Sequence, residues 1–236
     1  SVGSVERGVY RSLARLAIGP DRIPERSPEA YRAFLLGPIE YALRDRPAGF
    51  LTLGSIKVKY VVEADIAAFY QYVDHDTLRH QLVLHGGDVA VVDALIELLA
   101  GIEGRTFGLP QLLAASDWLS DVYIQAVERD LLRKGIAVWR YNDDFRIACS
   151  TYTEALDAIE RLDESARSLG LTISDYKTFT PSFGTYLFRT TGREVNESMI
   201  EVDPTDVEAI VMDYADTDDD EQIEMATSTL GRLELA

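Results

Sequence analysis

The sequence predicts an α+β fold in which a small antiparallel sheet carries helices packed on one face. Short stretches rich in β-branched and aromatic residues, at 57–65, 136–141 and 145–150, predict strands. Longer stretches with apolar residues at helical spacing, at 89–99 and 115–132, predict helices between them. A strand followed by helices, a hairpin, a helix and one more strand is the order expected of such a sheet.

Prolines set the expectation for the first 50 residues, which should form an irregular group of short helices. One helix should begin after Ser27, since Pro28 and Glu29 are typical of a first helical turn. The first strand then runs from Lys57 to Asp65. The interrupting prolines are Pro20, Pro24, Pro28, Pro38 and Pro47.

Capping residues and glycines mark the elements that follow. Asp74 is a suitable cap for the first helix after the strand, and glycines close the next two helices. The strands at 136–141 and 145–150 flank Asn-Asp-Asp and should form a hairpin. An amphipathic helix at 152–169 and a short strand at 171–174 complete the predicted fold. The closing glycines are Gly101 and Gly104 for one helix and Gly135 for the other.

The amino-acid composition limits the kinds of metal site that the chain could form. The chain has 236 residues, 47% of them hydrophobic, which is enough for a large core. It has neither the apolar run of about 20 residues that a membrane helix needs nor the start of a signal peptide, so we expect a cytoplasmic protein with no membrane partner. Its one cysteine, Cys149, is expected to be buried, and three histidines spell no zinc-type cluster. A metal site would therefore consist of carboxylates.

The net charge of −17 argues against a nucleic-acid partner, because phosphate binding normally needs a basic surface. The charge is uneven, however, since twelve acidic residues and one arginine lie from Glu201 onward, which leaves about −6 for the rest. Basic residues also cluster before Asp65, which weakens the objection. They are Arg22, Arg26, Arg32, Arg44, Arg46, Lys57 and Lys59.

Three carboxylates are candidates for one metal site. Asp65 ends a predicted strand, and Asp143 and Asp144 occupy a predicted hairpin turn, so neighbouring strands of one sheet would bring them together. Two Mg²⁺ ions held by such oxygens, about 3.5–4 Å apart, can stabilise the attacking and leaving oxygens of nucleotidyl transfer. The alternative is that Asn-Asp-Asp is ordinary turn composition.

Several segments in order resemble the reverse transcriptases, and most closely the bacterial branch with retron, group II intron and abortive-infection enzymes. Four motifs in the right order and spacing are far more specific than any one alone. The matching segments are DIAAFY at 65–70 with VDHDTL at 73–78, GLPQ at 108–111 with Ser116, YNDD at 141–144, LGLTISDYKT at 169–178, and, more weakly, the primer-grip hairpin FGTYLF at 183–188.

The resemblance implies a catalytic centre. Asp65 and Asp143 would bridge two Mg²⁺ ions, or Mn²⁺ in their place, with Asp144 and the main chain of Ile66 as further ligands. Lys177 would neutralise the leaving pyrophosphate or give it a proton. A solvated surface lysine is the alternative at that position.

The resemblance also implies a nucleotide site. Tyr70, beside Phe69, would place a ring under the sugar of the incoming nucleotide, where it would clash with a 2′-hydroxyl; a core aromatic is the alternative. Gln111 would contact the nucleotide, Pro110 would shape that loop, and Lys59 is a candidate for phosphate contacts or merely a solvated residue. The loop itself is expected to be supported by His75. The implied primer grip comprises Phe183, Gly184 and Tyr186.

Two features depart from the family. Leu112 stands where a glycine usually follows the motif glutamine. It either faces the nascent base pair or packs against the helix that begins near Ala115. The chain also ends soon after the primer-grip match, so a protein partner or a further C-terminal region is expected to supply the thumb.

Domains and function follow from the resemblance as expectations. Residues 1–58 would be a fingers-like lobe, 59–190 a palm with the catalytic motifs, and 191–236 an acidic segment that begins a thumb. The expected activity is RNA-directed DNA polymerase, with an RNA template, a DNA product and deoxynucleoside triphosphates, acting in bacterial antiphage defence. The alternatives are an inactive palm that serves as a binding or assembly module, and another palm-type nucleotidyltransferase.

Overall fold

The computed structural model describes residues 3–19, 23, 26–44 and 56–195, with 193–195 as backbone only. The elements are α1 (Ser4–Ile18), α2 (Pro28–Leu43), β1 (Tyr60–Asp65), α3 (Phe69–Tyr72), α4 (His75–Leu84), α5 (Val89–Glu103), α6 (Ala114–Arg133), β2 (Ala137–Tyr141), β3 (Asp144–Cys149), α7 (Tyr152–Arg167), a 3-10 turn (Asp175–Lys177) and α8 (Phe183–Val195).

Side-chain caps begin α2 and α4 where the sequence predicts them. The Ser27 hydroxyl accepts a hydrogen bond of 3.1 Å from the Ala30 amide, and the Asp74 carboxylate accepts one of 2.8 Å from the Thr77 amide. Helix α5 continues past Gly101 and ends at Gly104, whose φ of +67° is the left-handed conformation that closes many helices.

Helix α2 corrects the expectation of short, proline-broken helices. It runs unbroken from Pro28 to Leu43 although Pro38 lies inside it. A proline removes one helical hydrogen bond, but Phe34 and Ile39 are buried on the same helix and Pro38 itself is buried. Tertiary packing of this helix outweighs the local penalty.

The three strands form one antiparallel sheet in the order β1-β3-β2. The register places Asp65 opposite Asp144, and Asp144 opposite Tyr141. The predicted hairpin is therefore confirmed, and its second strand is the centre of the sheet.

One face of the sheet supports the main core. Val62, Phe145 and Ile147 pack with helices α4 to α7, as expected for an α+β fold. Tyr10 of α1 belongs to the same core. The apolar contacts of α1 thus cross residue 58, the expected boundary of the N-terminal lobe.

The opposite face of the sheet is covered by a smaller core. Val61 and Ala148 pack there against Ile39 of α2 and against Phe183 and Tyr186 of α8. Because successive residues of a strand point to opposite faces, Asp65 and Asp144 belong to this second face.

Two predicted strands are wrong. Residues 171–174 make only an isolated bridge, between Ile66 and Ile173, and are followed by the 3-10 turn. The segment at 183–188 is the start of α8 and not a hairpin. Phe183, Tyr186 and Leu187 are spaced as one face of a helix and are buried together.

No helix among the described residues has both the length and the apolar character needed to cross a bilayer.

Candidate active site

The end of β1 positions Asp65. The backbone at this point is hydrogen-bonded to two neighbouring segments. The Ser174 amide donates to the Asp65 carbonyl (2.7 Å), and the Ile66 amide donates to the Asp143 carbonyl (3.2 Å). The Asp65 side chain is 11% exposed. A carboxylate is thus fixed at the strand end by main-chain bonds on both sides.

The β2–β3 turn positions the other two carboxylates. Asn142 and Asp143 are the two residues between the paired Tyr141 and Asp144. Asn142 has a φ of +57°, and asparagine is among the few residues that adopt this left-handed conformation readily. The turn therefore presents Asp143 and Asp144 beside the end of β1.

The three carboxylates form the one cluster of metal-binding type found in the described part of the chain. Asp65, Asp143 and Asp144 each offer one oxygen, and these atoms lie within 4.8 Å of one another. A donor set made only of carboxylate oxygens suits a hard cation such as Mg²⁺ or Mn²⁺.

Burial and neighbouring negative charge raise the pKa of two carboxylates of the cluster. Burial, and then the charges of Asp65 and Asp144, raise the pKa of Asp143. Burial also raises the pKa of Asp144, while the nearby Arg146 guanidinium lowers it. A cation placed among these groups would offset both effects.

Lys177 is carried to the cluster by the 3-10 turn. Its Nζ lies 3.1 Å from Asp65 Oδ2, and this bond raises the pKa of the ammonium group. The lysine side chain is exposed. It is thus a positive charge at the rim of the carboxylate cluster.

Helix α3 separates the two adjacent aromatic residues. Phe69 is buried and packs near Tyr123, so it is a core residue. Tyr70 is half-buried, and its hydroxyl donates a 2.6 Å hydrogen bond to Asp117 Oδ1 of α6. Tyr70 is therefore held by a polar contact and is not a purely apolar core residue.

The loop before α6 is supported from below, as expected for His75. His75 is buried, and its Nε2 lies 2.7 Å from the Gly108 carbonyl. Ser116 donates to the Pro110 carbonyl and lies 2.9 Å from the Tyr10 hydroxyl. A φ of +96° at Gly108 needs a residue without a side chain.

Two residues of this loop face outward. Gln111 is exposed and, with Pro110, borders a groove of about 960 Å³ between α1 and α5. Leu112 is fully exposed and has a φ of +61°. The interpretation that Leu112 packs against the following helix is therefore wrong.

Some predicted site residues are not brought to the cluster. Lys59 precedes β1 and lies about 20 Å from Asp65 along the extended strand, beyond the reach of its side chain. Phe183 and Tyr186 are buried side chains of α8, and Gly184 lies on the same helix. These residues do not form the expected primer-grip hairpin.

Four charged residues near the carboxylates were given no individual role in the site by sequence reasoning. Arg146 of β3 pairs with Glu63 of β1 at 3.4 Å, and Arg189 of α8 also contacts Glu63. Arg26 reaches the β2–β3 turn from the N-terminal part of the chain. Glu63 and Arg146 could have been found, because each lies two residues from a candidate ligand and so shares its face of the sheet.

Two comparisons with known proteins found similarities. A family model described as reverse transcriptase (RNA-dependent DNA polymerase) matches residues 38–196. No curated protein matches the chain in sequence.

Among solved structures, the chain is similar to telomerase from Candida albicans in complex with the TWJ fragment of telomeric RNA (TM-score 0.50, 12% identity, 76% of this chain and 34% of that chain). It is also similar to apo telomerase from Candida tropicalis truncated from its C-terminal domain (TM-score 0.50, 14% identity, 76% of this chain and 40% of that chain). At these identities the similarity establishes the fold, and the chain spans no more than 40% of either telomerase chain.

Proposed function

The chain belongs to the reverse transcriptase family, and from that premise we propose that it is an RNA-directed DNA polymerase that performs nucleotidyl transfer with two Mg²⁺ ions. One observation carries the proposal: Asp65, Asp143 and Asp144 present three carboxylate oxygens within 4.8 Å of one another, at the meeting point of β1 and a hairpin turn. Convergence of turn acids with a strand-end carboxylate from a distant part of the chain is the arrangement that a two-ion site requires.

The three carboxylates are suitable ligands for Mg²⁺ ions. Asp65 and Asp143 would bridge them, with Asp144 and the main chain of Ile66 as supporting ligands, and Mn²⁺ could replace Mg²⁺ in such a site. Bound divalent ions supply positive charge to the attacking and leaving oxygens of phosphoryl transfer. The raised pKa values of Asp143 and Asp144 indicate a cluster that favours added positive charge.

The remaining site residues orient the substrate. Tyr70 would lie under the sugar of a deoxynucleoside triphosphate and exclude a 2′-hydroxyl. Gln111, exposed on the rigidly supported loop, would contact the nucleotide. Lys177, already beside Asp65, would neutralise the leaving pyrophosphate or give it a proton.

The proposed polymerase would act on nucleic acids in the bacterial cytoplasm. An RNA template and a DNA product would be the nucleic-acid partners. The motif resemblance to bacterial enzymes supports a cytoplasmic role in antiphage defence.

A primer-extension assay tests the activity. The purified protein is incubated with a DNA primer annealed to an RNA template, deoxynucleoside triphosphates and Mg²⁺. We expect incorporation that is abolished by Asp65→Asn or Asp143→Asn, because each change removes a ligand charge while keeping the side-chain shape. Asp93→Asn, which alters a carboxylate of an exposed ion pair with Arg79, is the matched control and should not reduce incorporation.

Two outcomes would contradict the proposal. Near-normal incorporation by Asp65→Asn would show that the carboxylate cluster is not catalytic. Tight binding of the primed template without any incorporation, under both Mg²⁺ and Mn²⁺, would favour the binding-module alternative.

A further inference from the structure

The Arg26 guanidinium lies between helix α6 and the turn that carries the catalytic carboxylates. It forms an ion pair with the Asp117 carboxylate at 3.0 Å and donates to the Asp117 carbonyl at 2.9 Å. It also donates to Asn142 Oδ1 at 2.8 Å. One arginine thus connects α6 to the β2–β3 turn.

The Asp117 carboxylate also binds the hydroxyl of Tyr70, the residue expected to lie under the sugar of the incoming nucleotide. Tyr70 donates to Asp117 Oδ1 at 2.6 Å, while Arg26 Nη1 and Ser120 Oγ lie 3.4 Å from the Tyr70 hydroxyl. The far end of the Tyr70 ring is therefore fixed by α6 and by Arg26, and the near end is fixed by its own helix α3.

A second arginine secures the turn from the other side. Arg140 donates to the Asn142 carbonyl at 3.0 Å and pairs with Asp121 at 2.8 Å and Glu128 at 3.0 Å. Asp117 and Asp121 are four residues apart on α6, so they lie on one face of the helix. Each carboxylate holds an arginine that donates to Asn142.

We propose that Arg26 and Asp117 are positioning residues that hold the Tyr70 ring at a fixed place relative to the carboxylate turn, and thereby set the preference for deoxynucleotides over ribonucleotides. This inference rests on the proposed polymerase function. It extends that function by assigning sugar selection to a pair of residues that would not touch the nucleotide.

The physical reason is that the Tyr70 ring can move when its hydroxyl no longer has hydrogen-bond partners. A half-buried tyrosine without its hydroxyl bonds can rotate about two side-chain torsions, and a small rotation at Cβ moves the far end of the ring by several times as much. Such movement opens space for a 2′-hydroxyl. The Arg26–Asp117 pair is partly exposed, at 26% and 35%, and such pairs contribute little to folding. Its geometric consequence for Tyr70 is therefore separable from its contribution to stability.

The test compares ribonucleotide with deoxynucleotide use. For the full chain and for Tyr70→Phe, Asp117→Ala and Arg26→Ala, kcat/KM is measured for each nucleotide class on a primed RNA template. The ratio of ribonucleotide to deoxynucleotide use should rise roughly tenfold in each variant, within the range of coupling seen between contacting residues. A larger rise is expected for Tyr70→Ala, which removes the ring.

A double variant shows whether Asp117 acts through Tyr70 or independently of it, because effects that act through the same contact do not add. The double variant Asp117→Ala/Tyr70→Phe should have the same ratio as Tyr70→Phe alone, because Asp117 acts on the ring through its contact with the Tyr70 hydroxyl. Arg79→Ala, which breaks the exposed pair with Asp93, is the matched control and should leave the ratio unchanged. The ratio is insensitive to a general loss of activity, and Tyr70→Phe, which removes one oxygen atom, guards against misfolding.

The outcomes separate this inference from the proposed function. If the natural protein incorporates deoxynucleotides and Tyr70→Ala raises the ratio, but Asp117→Ala and Arg26→Ala do not, the positioning role is refuted while the polymerase function stands. An unchanged ratio in Tyr70→Ala also refutes it, since Tyr70 would not select the sugar. A natural protein that incorporates no nucleotide overturns both.

Discussion

Replacing Leu112 by glycine should not destabilise the protein, although the change removes four side-chain carbons. Leu112 is fully exposed, so no buried apolar contact is lost. Its φ of +61° is a left-handed conformation, which costs a residue with a side chain about 1–2 kcal/mol. Glycine avoids that cost, while its greater freedom in the unfolded chain costs about 0.5–1 kcal/mol.

The difference between these terms gives the expected magnitude. The free energy of unfolding of Leu112→Gly should equal that of the natural protein or exceed it by up to about 1.5 kcal/mol. Each kcal/mol gained raises Tm by about 2–4 °C in a chain of this size. Leu16→Gly is the matched control, because Leu16 is also exposed but lies in helix α1. Glycine there should lower the free energy of unfolding by about 1 kcal/mol.

Urea unfolding followed by circular dichroism measures both variants. A loss of about 1 kcal/mol or more in Leu112→Gly would refute the reasoning, because it would reveal a stabilising contact of that side chain. The same variant then reports on function. If Leu112 faces the nascent base pair, Leu112→Gly should give longer products on a primed RNA template, whereas unchanged products would remove it from the template channel.

Three further predictions concern packing, metal binding and capping. Gly37→Ala should destabilise the protein by about 1–3 kcal/mol in urea unfolding, because a Cβ there would lie 2.4 Å from the Trp139 ring. Mg²⁺ should raise Tm at neutral pH, and the rise should shrink toward pH 5, where protons compete for Asp143 and Asp144 with their raised pKa values; Asp143→Asn should abolish it. Ser27→Ala should cost about 1 kcal/mol in the same urea assay, and Ser27→Gly only a few tenths.

The turn that carries Asp143 and Asp144 was predictable because its signals are local. Strand-forming residues directly precede Asp65, and strand-forming residues also flank the acidic turn at 141–144. Each element is therefore marked by residues close to it in sequence, although Asp65 and Asp143 are far apart in the chain. Helix α8 was not predictable in this way. Aromatic residues at 183, 186 and 188 fit a strand by composition, but the spacing of Phe183, Tyr186 and Leu187 fits a helix equally well.

The Arg26 network had no local signal at all. Arg26 is separated from Tyr70, Asp117 and Asn142 by 44 to 116 residues, and no periodic pattern connects residues so far apart. Arginine before a helix is ordinary surface composition. Only the folded arrangement of α6 and the β2–β3 turn gives Arg26 a specific place.

The ion pair next to the carboxylates helps to explain why the register of β1 and β3 is fixed. Glu63 and Arg146 lie opposite each other, two residues from Asp65 and Asp144 on the same face of the sheet, and both side chains are largely buried. Sliding β1 by one residue along β3 would turn Glu63 into the main apolar core and leave Arg146 and Arg189 without their shared carboxylate. Burying an unpaired charge is strongly unfavourable. The same one-residue shift would turn Asp65 away from Asp144, so the pairing that excludes the wrong register also keeps the candidate metal ligands together.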